Sequence, residues 1–390
     1  MIPLAISKRV PLFLLITVLI LYNYPFPWLI LTLVGLLFII FGFSKNKNFD
    51  VILLIYIVAA GIGIRFVSLP LLPDFISQAD ILPVISEAIN GLLKGTNPYQ
   101  ISYTAVVSND PAHALPYPPF SFLFYLPFKL IFGNIQLAEI ISATLVMLLI
   151  VVLATLTNFG KILITIAIYS LSFLFIMSSV NGSNDTSASL LIFSGFFLII
   201  IYRLVDKKIF FYLSAVFVAF SLTFKQYSLI FAIFLLFYLY QNFSRASFLK
   251  YLATTAAALT IIILPFLIIS PVDFVADVVW PTSPPMLAGW NIYYAIEKFL
   301  GINFSKSSFG VLSLIDLVAT FALLIYLLIK FKPRTLAAIT VLVPFVFFIS
   351  LLLAPFASPA YLAAFVPLLV IQPIAADLDK LIQKNPGNGH

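Results

Sequence analysis

"FISQADILPVISEAINGLLKGTNPYQ", residues 75–100, is a polar insertion set between strongly apolar segments, and its placement decides how the chain is organised. On either side the sequence belongs in lipid. Of 390 residues, 63% are apolar and 9% charged. Mean hydropathy is +1.15. Both figures lie far outside soluble-domain averages, and many apolar runs reach membrane-spanning length. The expected fold class is an all-α polytopic membrane protein. Spans are expected near 10–23, 26–43, 50–69, 136–157, 161–180, 186–203, 209–224, 227–241, 250–270, 309–330, 335–353 and 360–376, a bundle of about 12 transmembrane helices. The first run follows Lys8 and Arg9, lacks a small-residue cleavage site and is followed by further spans, so it reads as an anchor.

Charge orients the bundle. Lys8, Arg9, Lys45, Lys47, Lys161, Arg203, Lys207, Lys208, Arg245, Lys250, Lys330, Lys332, Arg334, Lys380 and Lys384 fall in one set of connections and make up 15 of the 21 Lys and Arg. By the positive-inside rule these connections and both termini are cytoplasmic. Ten of the 14 acidic residues fall on or near the opposite side: Asp74, Asp80, Glu87, Asp110, Glu139, Asp185, Asp273, Asp277, Glu297 and Asp316. Since residues 70–118 are outside and Lys161 is inside, the chain between them crosses an odd number of times. "FSFLFYLPFKLIFG" (120–133) is too short to span and carries Lys129, so it is expected to lie in the interface or to re-enter. The outer face therefore owns a large loop, 70–135, and a second one, 270–306, rich in Trp, Tyr and Pro. With no fixed-period repeat and no dividing linker, residues 1–390 read as a single domain.

Composition also removes function classes. The chain has no cysteine, which excludes disulfides, thiolate catalysis and Cys-based metal sites. Two histidines, His113 and His390, argue against a multi-histidine metal site. No phosphate-cradling glycine loop, Ser-His-Asp arrangement or nucleic-acid signature is present.

Three outer clusters could carry chemistry. In the opening stretch Ile81, Ile85, Ala88, Ile89, Leu92 and Leu93 recur at helical spacing, with Ser86, Glu87, Asn90 and Lys94 opposite, which predicts a helix on the membrane surface. Asp80 stands just before it, either as an N-cap or as a catalytic or substrate-contacting carboxylate; Pro83 removes one N–H that a cap would use. Asp74 is the weaker candidate. "SSVNGSNDTSASLL" (178–191) places Asn184 and Asp185 at the start of a span, where helix-start chemistry and a substrate site at the membrane boundary are both open readings. "LTFKQYSLIF" (222–231) puts Lys225 and Gln226 in an outer turn that the charge bias disfavours for lysine. Lys225 either snorkels to lipid headgroups or awaits a lipid-linked phosphate, as Arg65 could near the outer end of 50–69. Tyr99 in "NPYQ", Tyr117 in "LPYPPF" and Tyr361 are interfacial aromatics or sugar-stacking platforms.

Four stretches in order resemble the multispan GT-C glycosyltransferases that use polyprenyl-phosphate sugars, in particular the mycobacterial-type polyprenol-phosphate-mannose-dependent mannosyltransferases and the catalytic subunit of GPI mannosyltransferase I. They are "ADILPVISEAINGLLKGTNPY" (79–99), "YPPF" (117–120), "SSVNGSNDTSASLL" (178–191) and "FKQYSLI" (224–230). The resemblance implies a GT-C-like bundle whose large outer loop carries interfacial helices. It implies inverting transfer of a hexose, mannose first, from a polyprenyl-phosphate sugar to a lipid-linked or envelope glycan acceptor, on the non-cytosolic face of the cell membrane. Asp80 would be the general base, Lys225 with Arg65 the donor-phosphate ligands, and Asn184, Asp185, Tyr99, Tyr117, Gln226 and Tyr227 substrate contacts. The expected partners are the donor, a glycolipid or glycan acceptor and membrane lipids, with no nucleic acid, and no metal or other cofactor is implied. A polytopic transporter or lipid flippase is the alternative. Such proteins place ionisable groups at mid-bilayer rather than at the outer ends of spans.

Overall fold

A computed structural model describes residues 35, 48–71, 81–105, 110–279, 288–305 and 308–384. These form an all-α membrane protein. In chain order the helices are α1 (Phe49–Leu71), α2 (Ile81–Leu93), α3 (Phe120–Phe132), α4 (Gln136–Thr155), α5 (Phe159–Leu171), α6 (Phe173–Met177), α7 (Asp185–Val205) and α8 (Lys208–Leu222). They continue with α9 (Ser228–Asn242), α10 (Arg245–Ile269), α11 (Pro271–Phe274), α12 (Ile292–Leu300), α13 (Phe309–Phe331), α14 (Leu336–Leu353), α15 (Val366–Val370) and α16 (Gln372–Lys384). Extended structure is confined to two small pairs among the described residues: antiparallel β1 (Tyr103–Ala105) with β2 (Asp110–His113), and parallel β3 (Ala288–Gly289) with β4 (Phe356–Ala357).

Among the described residues, α1, α4, α7, α10, α13 and α14 are long and apolar enough to cross a membrane. The expected spans at 10–23 and 26–43 lie outside the described residues. Of the remaining four, two form apolar helices shorter than a full span and two are broken into pieces. Helices α8 and α9 have 15 residues each, ~22 Å of helix against ~30 Å of hydrocarbon. The expected span 161–180 is broken at Ser172, whose backbone is extended, into α5 and α6. The expected span 360–376 is broken into a tight turn of helix at Pro359–Ala364, then α15 and α16. Pro359, Pro367 and Pro373 each sit in the first turn of one of these pieces. A residue without an N–H starts a helix easily and continues one poorly.

The 13-residue α3 covers only ~20 Å, in keeping with its expected failure to span. Helix α2 forms where the periodicity places it, with Ile85, Ala88 and Ile89 buried and Glu87, Asn90 and Lys94 exposed. Its apolar face is not left for lipid. It packs with Tyr99, Tyr103, Leu115, Phe122 and Tyr125, and Lys129 Nζ donates to Ser86 Oγ at 3.0 Å.

The most enclosed long helix is α7, which packs against α4 and α8. Its two ends separate two sets of connections. At one end Lys161 pairs with Asp377 at 2.6 Å, the Asp379 carboxylate accepts from Leu336 N (2.8 Å) and Ala337 N (3.1 Å), and Asn242 Nδ2 donates to Arg334 O at 3.2 Å. Burial raises Asp379 above the usual carboxylate range, against the pull of those two N–H groups. At the other end Leu82 N donates to Gly182 O (3.1 Å), Phe120 N to Thr223 O (2.9 Å) and Leu115 N to Asp277 Oδ2 (3.2 Å). Trp290 N donates to Ala357 O at 2.9 Å there, beside Gly289, whose φ of +89° and 1.9 Å spacing from a would-be Cβ to Ala357 O admit only glycine. Among the described residues, the segments grouped as basic and as acidic thus lie at opposite ends of the helices.

Candidate functional site

The site forms where α7 begins. A helix start leaves its first N–H groups without intrahelical partners, and Asn184, at the capping position, is the residue type that usually supplies one. Here its side chain makes no capping bond. Glu139, from α4, caps instead. Its Oε2 accepts from Thr186 N and Ser187 N, both at 3.1 Å, and its Oε1 accepts from the hydroxyls of Ser187 and Tyr125. Ser142 Oγ lies 3.0 Å from Ser187 Oγ and extends the network.

That substitution leaves two side chains over. Asn184 is fully buried, and neither its amide nitrogen nor its amide oxygen has a partner. Asp185 is also fully buried: Oδ1 accepts from Lys225 Nζ and from Tyr227 OH, both at 2.6 Å, while Oδ2 has no partner. A buried polar atom without a bond is costly, so three at one helix start call for an explanation such as a ligand.

Lys225 is 3% exposed. Its ammonium lies 4.8 Å from the ring centroid of Tyr361, 5.2 Å from Tyr227 and 5.9 Å from Tyr117. The turn that carries it follows α8: Lys225 N donates to Ser221 O, and Ser228 N back to Lys225 O, closing the five-residue connection 223–227. The ammonium is thus enclosed by ring faces and joined to one carboxylate, the contacts of a cation–π site beside an ion pair. Gln226 holds the rim, with Nε2 donating to Pro116 O at 2.7 Å and to Val278 O at 3.4 Å, so it ties the segments around Pro116 and Val278 to the turn.

The expected residues therefore divide. Asn184, Asp185, Lys225, Tyr227 and Tyr117 come together, and Gln226 closes one edge. Tyr99 is committed elsewhere: it is buried, its hydroxyl donates to Tyr117 O at 2.8 Å, and its ring packs edge-on against Phe122, Phe266 and Phe274. Burial first, and then the charge of Asp277, push its phenol well above the usual range. It braces the loop. Arg65, expected as a phosphate ligand, is fully buried and directs its N–H groups at Gly61 O (2.9 Å), Ser170 O (2.8 Å), Tyr169 O (3.2 Å), Phe175 O (3.3 Å) and Ser179 Oγ (3.2 Å). Those five bonds use all five guanidinium donors. The acceptors include last-turn carbonyls of α5 and α6, which helices leave open, so Arg65 clamps the broken helix. Asp80 and Asp74 lie outside the described residues; the chain is described from Ile81, whose neighbour Leu82 bonds to Gly182 in the turn leading to Asn184.

Glu139, Tyr125 and Ser187 border the candidate site and were not singled out by the sequence. A signal existed, since Glu139 is the lone charged residue in a 20-residue helix of span length, and ionisable groups in such segments often mark working positions. Among the described residues no three His, Asp or Glu side chains gather as a metal-ligand group. Comparison of the chain with protein-family models, with curated proteins and with solved structures gives no match.

Proposed function

We propose that this protein is a membrane glycosyltransferase that moves a hexose, mannose first, from a polyprenyl-phosphate sugar to a lipid-linked or envelope glycan acceptor. One observation carries the proposal beyond the sequence resemblance. Glu139 does the capping at the start of α7, and the Asn184 amide and Asp185 Oδ2 stay buried without partners beside Lys225. An amide that both donates and accepts, next to a carboxylate oxygen, matches adjacent sugar hydroxyls, and the rings of Tyr117, Tyr227 and Tyr361 offer faces for the apolar side of a pyranose.

On this reading the acceptor hydroxyl attacks the anomeric carbon while the bond from that carbon to the phosphate oxygen breaks. The hydroxyl proton passes to Asp80, and the polyprenyl phosphate leaves with the bonding electrons. Lys225, with one N–H committed to Asp185, has donors left for the charge that grows on the phosphate. Arg65 and Tyr99 hold the scaffold and touch no substrate. The positive-inside rule assigns the site to the extracytoplasmic face of the cell membrane and the termini to the cytoplasm. No metal is required by this chemistry.

A transporter or flippase is favoured by one feature, a fully buried carboxylate, Glu139, in the first turn of a span-length helix. The assay separates the two. Membranes containing the protein receive labelled polyprenyl-phosphate mannose or glucose, and products are analysed for a new glycolipid. The parental protein makes one, and Asp80→Asn slows it by roughly 10²-fold or more. Parental rates in Asp80→Asn overturn the base assignment. Label that crosses the bilayer without a new glycosidic bond overturns the enzyme.

A further inference from the structure

The end of the bundle opposite Asn184 holds a cleft of about 310 Å³ between the start of α5 and α16, lined by Lys161, Lys380, Lys384, Asp377, Leu156 and Leu381 among others. Helix α16 is two-sided by construction. Ile374, Ala375, Leu378 and Ile382 are buried on one side, while Asp377, Lys380, Leu381 and Lys384, at i, i+3, i+4 and i+7, form a stripe that faces the cleft.

The charges of this cleft do not balance. Lys161 is the third residue of α5, where the positive end of the helix dipole disfavours a cation. Lys380 and Lys384 are four residues apart on one helix and repel. Asp377 is the only carboxylate in the lining. It pairs with Lys161 at 2.6 Å and also feels Lys380, which together hold it below the usual carboxylate range. Asp50 approaches Gly160 from α1 but does not line the cleft. Three cations in the lining therefore share one carboxylate, with two leucines beside them, while the start of α5 itself is met by Asn158 Oδ1, which accepts from Gly160 N at 2.9 Å, and by Asp50.

We infer that this cleft binds the phosphate of an anionic lipid headgroup, with the glycerol and first methylenes against Leu156 and Leu381. The phosphate supplies the negative charge that the lining lacks. Leucines at the edge, Leu156 being 42% exposed, suit an amphiphile rather than a free phosphate ester. The basic end is also where the positive-inside rule puts the cytoplasmic leaflet, whose surface is anionic. The inference is independent of the sugar-transfer reading, since it concerns the other end of the molecule and needs no donor.

The test uses the full chain purified in detergent and mixed with phosphatidylglycerol or with phosphatidylcholine of the same acyl chains, with retained lipid counted by native mass spectrometry over a salt series. Phosphatidylglycerol is expected to be retained in preference, less so as salt rises. Lys380→Ala/Lys384→Ala should hold it roughly 30-fold more weakly, and Asp377→Asn more tightly than the parental protein. Far-UV circular dichroism and elution volume verify that both variants are folded. Equal retention of phosphatidylcholine, or a double variant that binds phosphatidylglycerol as the parent does, overturns the site. Free glycerol phosphate competing as well as the lipid overturns the assignment to a headgroup.

Discussion

Replacing Asn184 by alanine should leave the fold at least as stable as before, which is the opposite of what an N-cap replacement does. An Asn that caps a helix contributes ~1 kcal/mol, within about 0.5–2, and its loss is felt directly. Asn184 makes no such bond, and both polar atoms of its amide are buried without partners. Removing an unsatisfied buried group relieves roughly 1–3 kcal/mol of desolvation. The change from amide to methyl opens about 25 Å³, which at ~24 cal/mol per Å³ returns ~0.6 kcal/mol. The balance is a stabilisation between about zero and 2 kcal/mol. Glu139→Ala is the reference: it strips partners from two backbone N–H groups and the Tyr125 hydroxyl, Ser187 being able to turn to Ser142. Three lost partners at roughly 1–3 kcal/mol each predict a loss of at least ~3 kcal/mol. Unfolding of the purified proteins in mixed micelles of rising SDS fraction, followed by far-UV circular dichroism, measures both. A loss near 1 kcal/mol for Asn184→Ala, or one under ~0.5 kcal/mol for Glu139→Ala, would refute the division between cap and site. The same Asn184→Ala protein should be impaired in sugar transfer, since a polar group kept at the expense of stability is kept for a ligand.

Two further substitutions test the charged groups. Lys225→Met strands the Asp185 carboxylate in a buried site, so it should lose ~3–5 kcal/mol in the same titration, and Asp185→Asn added to it should restore most of the loss; a neutral single variant would mean that the ion pair is not buried in the folded protein. Arg65→Lys keeps the charge but offers three N–H donors where five acceptors are arranged, which predicts a loss of roughly 2–4 kcal/mol, and unchanged stability would show that the carbonyls of α5 and α6 do not depend on the guanidinium fork.

The apolar runs that became α1, α4, α7, α10, α13 and α14 were legible because length and hydropathy are properties of a segment by itself. The breaks were not. Ser172 and the prolines at 359, 367 and 373 interrupt stretches whose mean hydropathy is high enough to pass for a span, and averaging over a window removes the single residue that decides. Helix α2 is amphipathic as its periodicity implies, and its apolar face packs on the protein, because periodicity reports that a face will be buried and says nothing of what buries it. The same limit applies to the site. Asn184, Asp185, Lys225 and Tyr227 could be nominated from polar turns facing one side, but which residue caps α7 depends on the approach of α4, some 45 residues earlier in the chain. Arg65 shows the reverse error: a lone cation near a span end suggested a ligand site, when the carbonyls awaiting it lie more than 100 residues away.

Those two misreadings describe one device. The segment from Ser172 to Asn184 joins a broken helix to the start of α7, so it owes partners to carbonyls on one side and to N–H groups on the other. Arg65 meets the first debt from α1, where Gly61 lets the helices close: a Cβ there would come within 2.8 Å of Ser170. Glu139 meets the second from α4. Between them Ser179 takes the Arg65 Nε bond and its carbonyl accepts Gln136 Nε2 at 2.7 Å, so the loop is fixed from both neighbouring helices. Because outside groups hold this segment, its own polar side chains are not needed to hold it. The Asn184 amide and Asp185 Oδ2 can then stay unpaired in a frame held by other groups, the condition under which the proposed sugar site would bind without first having to order itself.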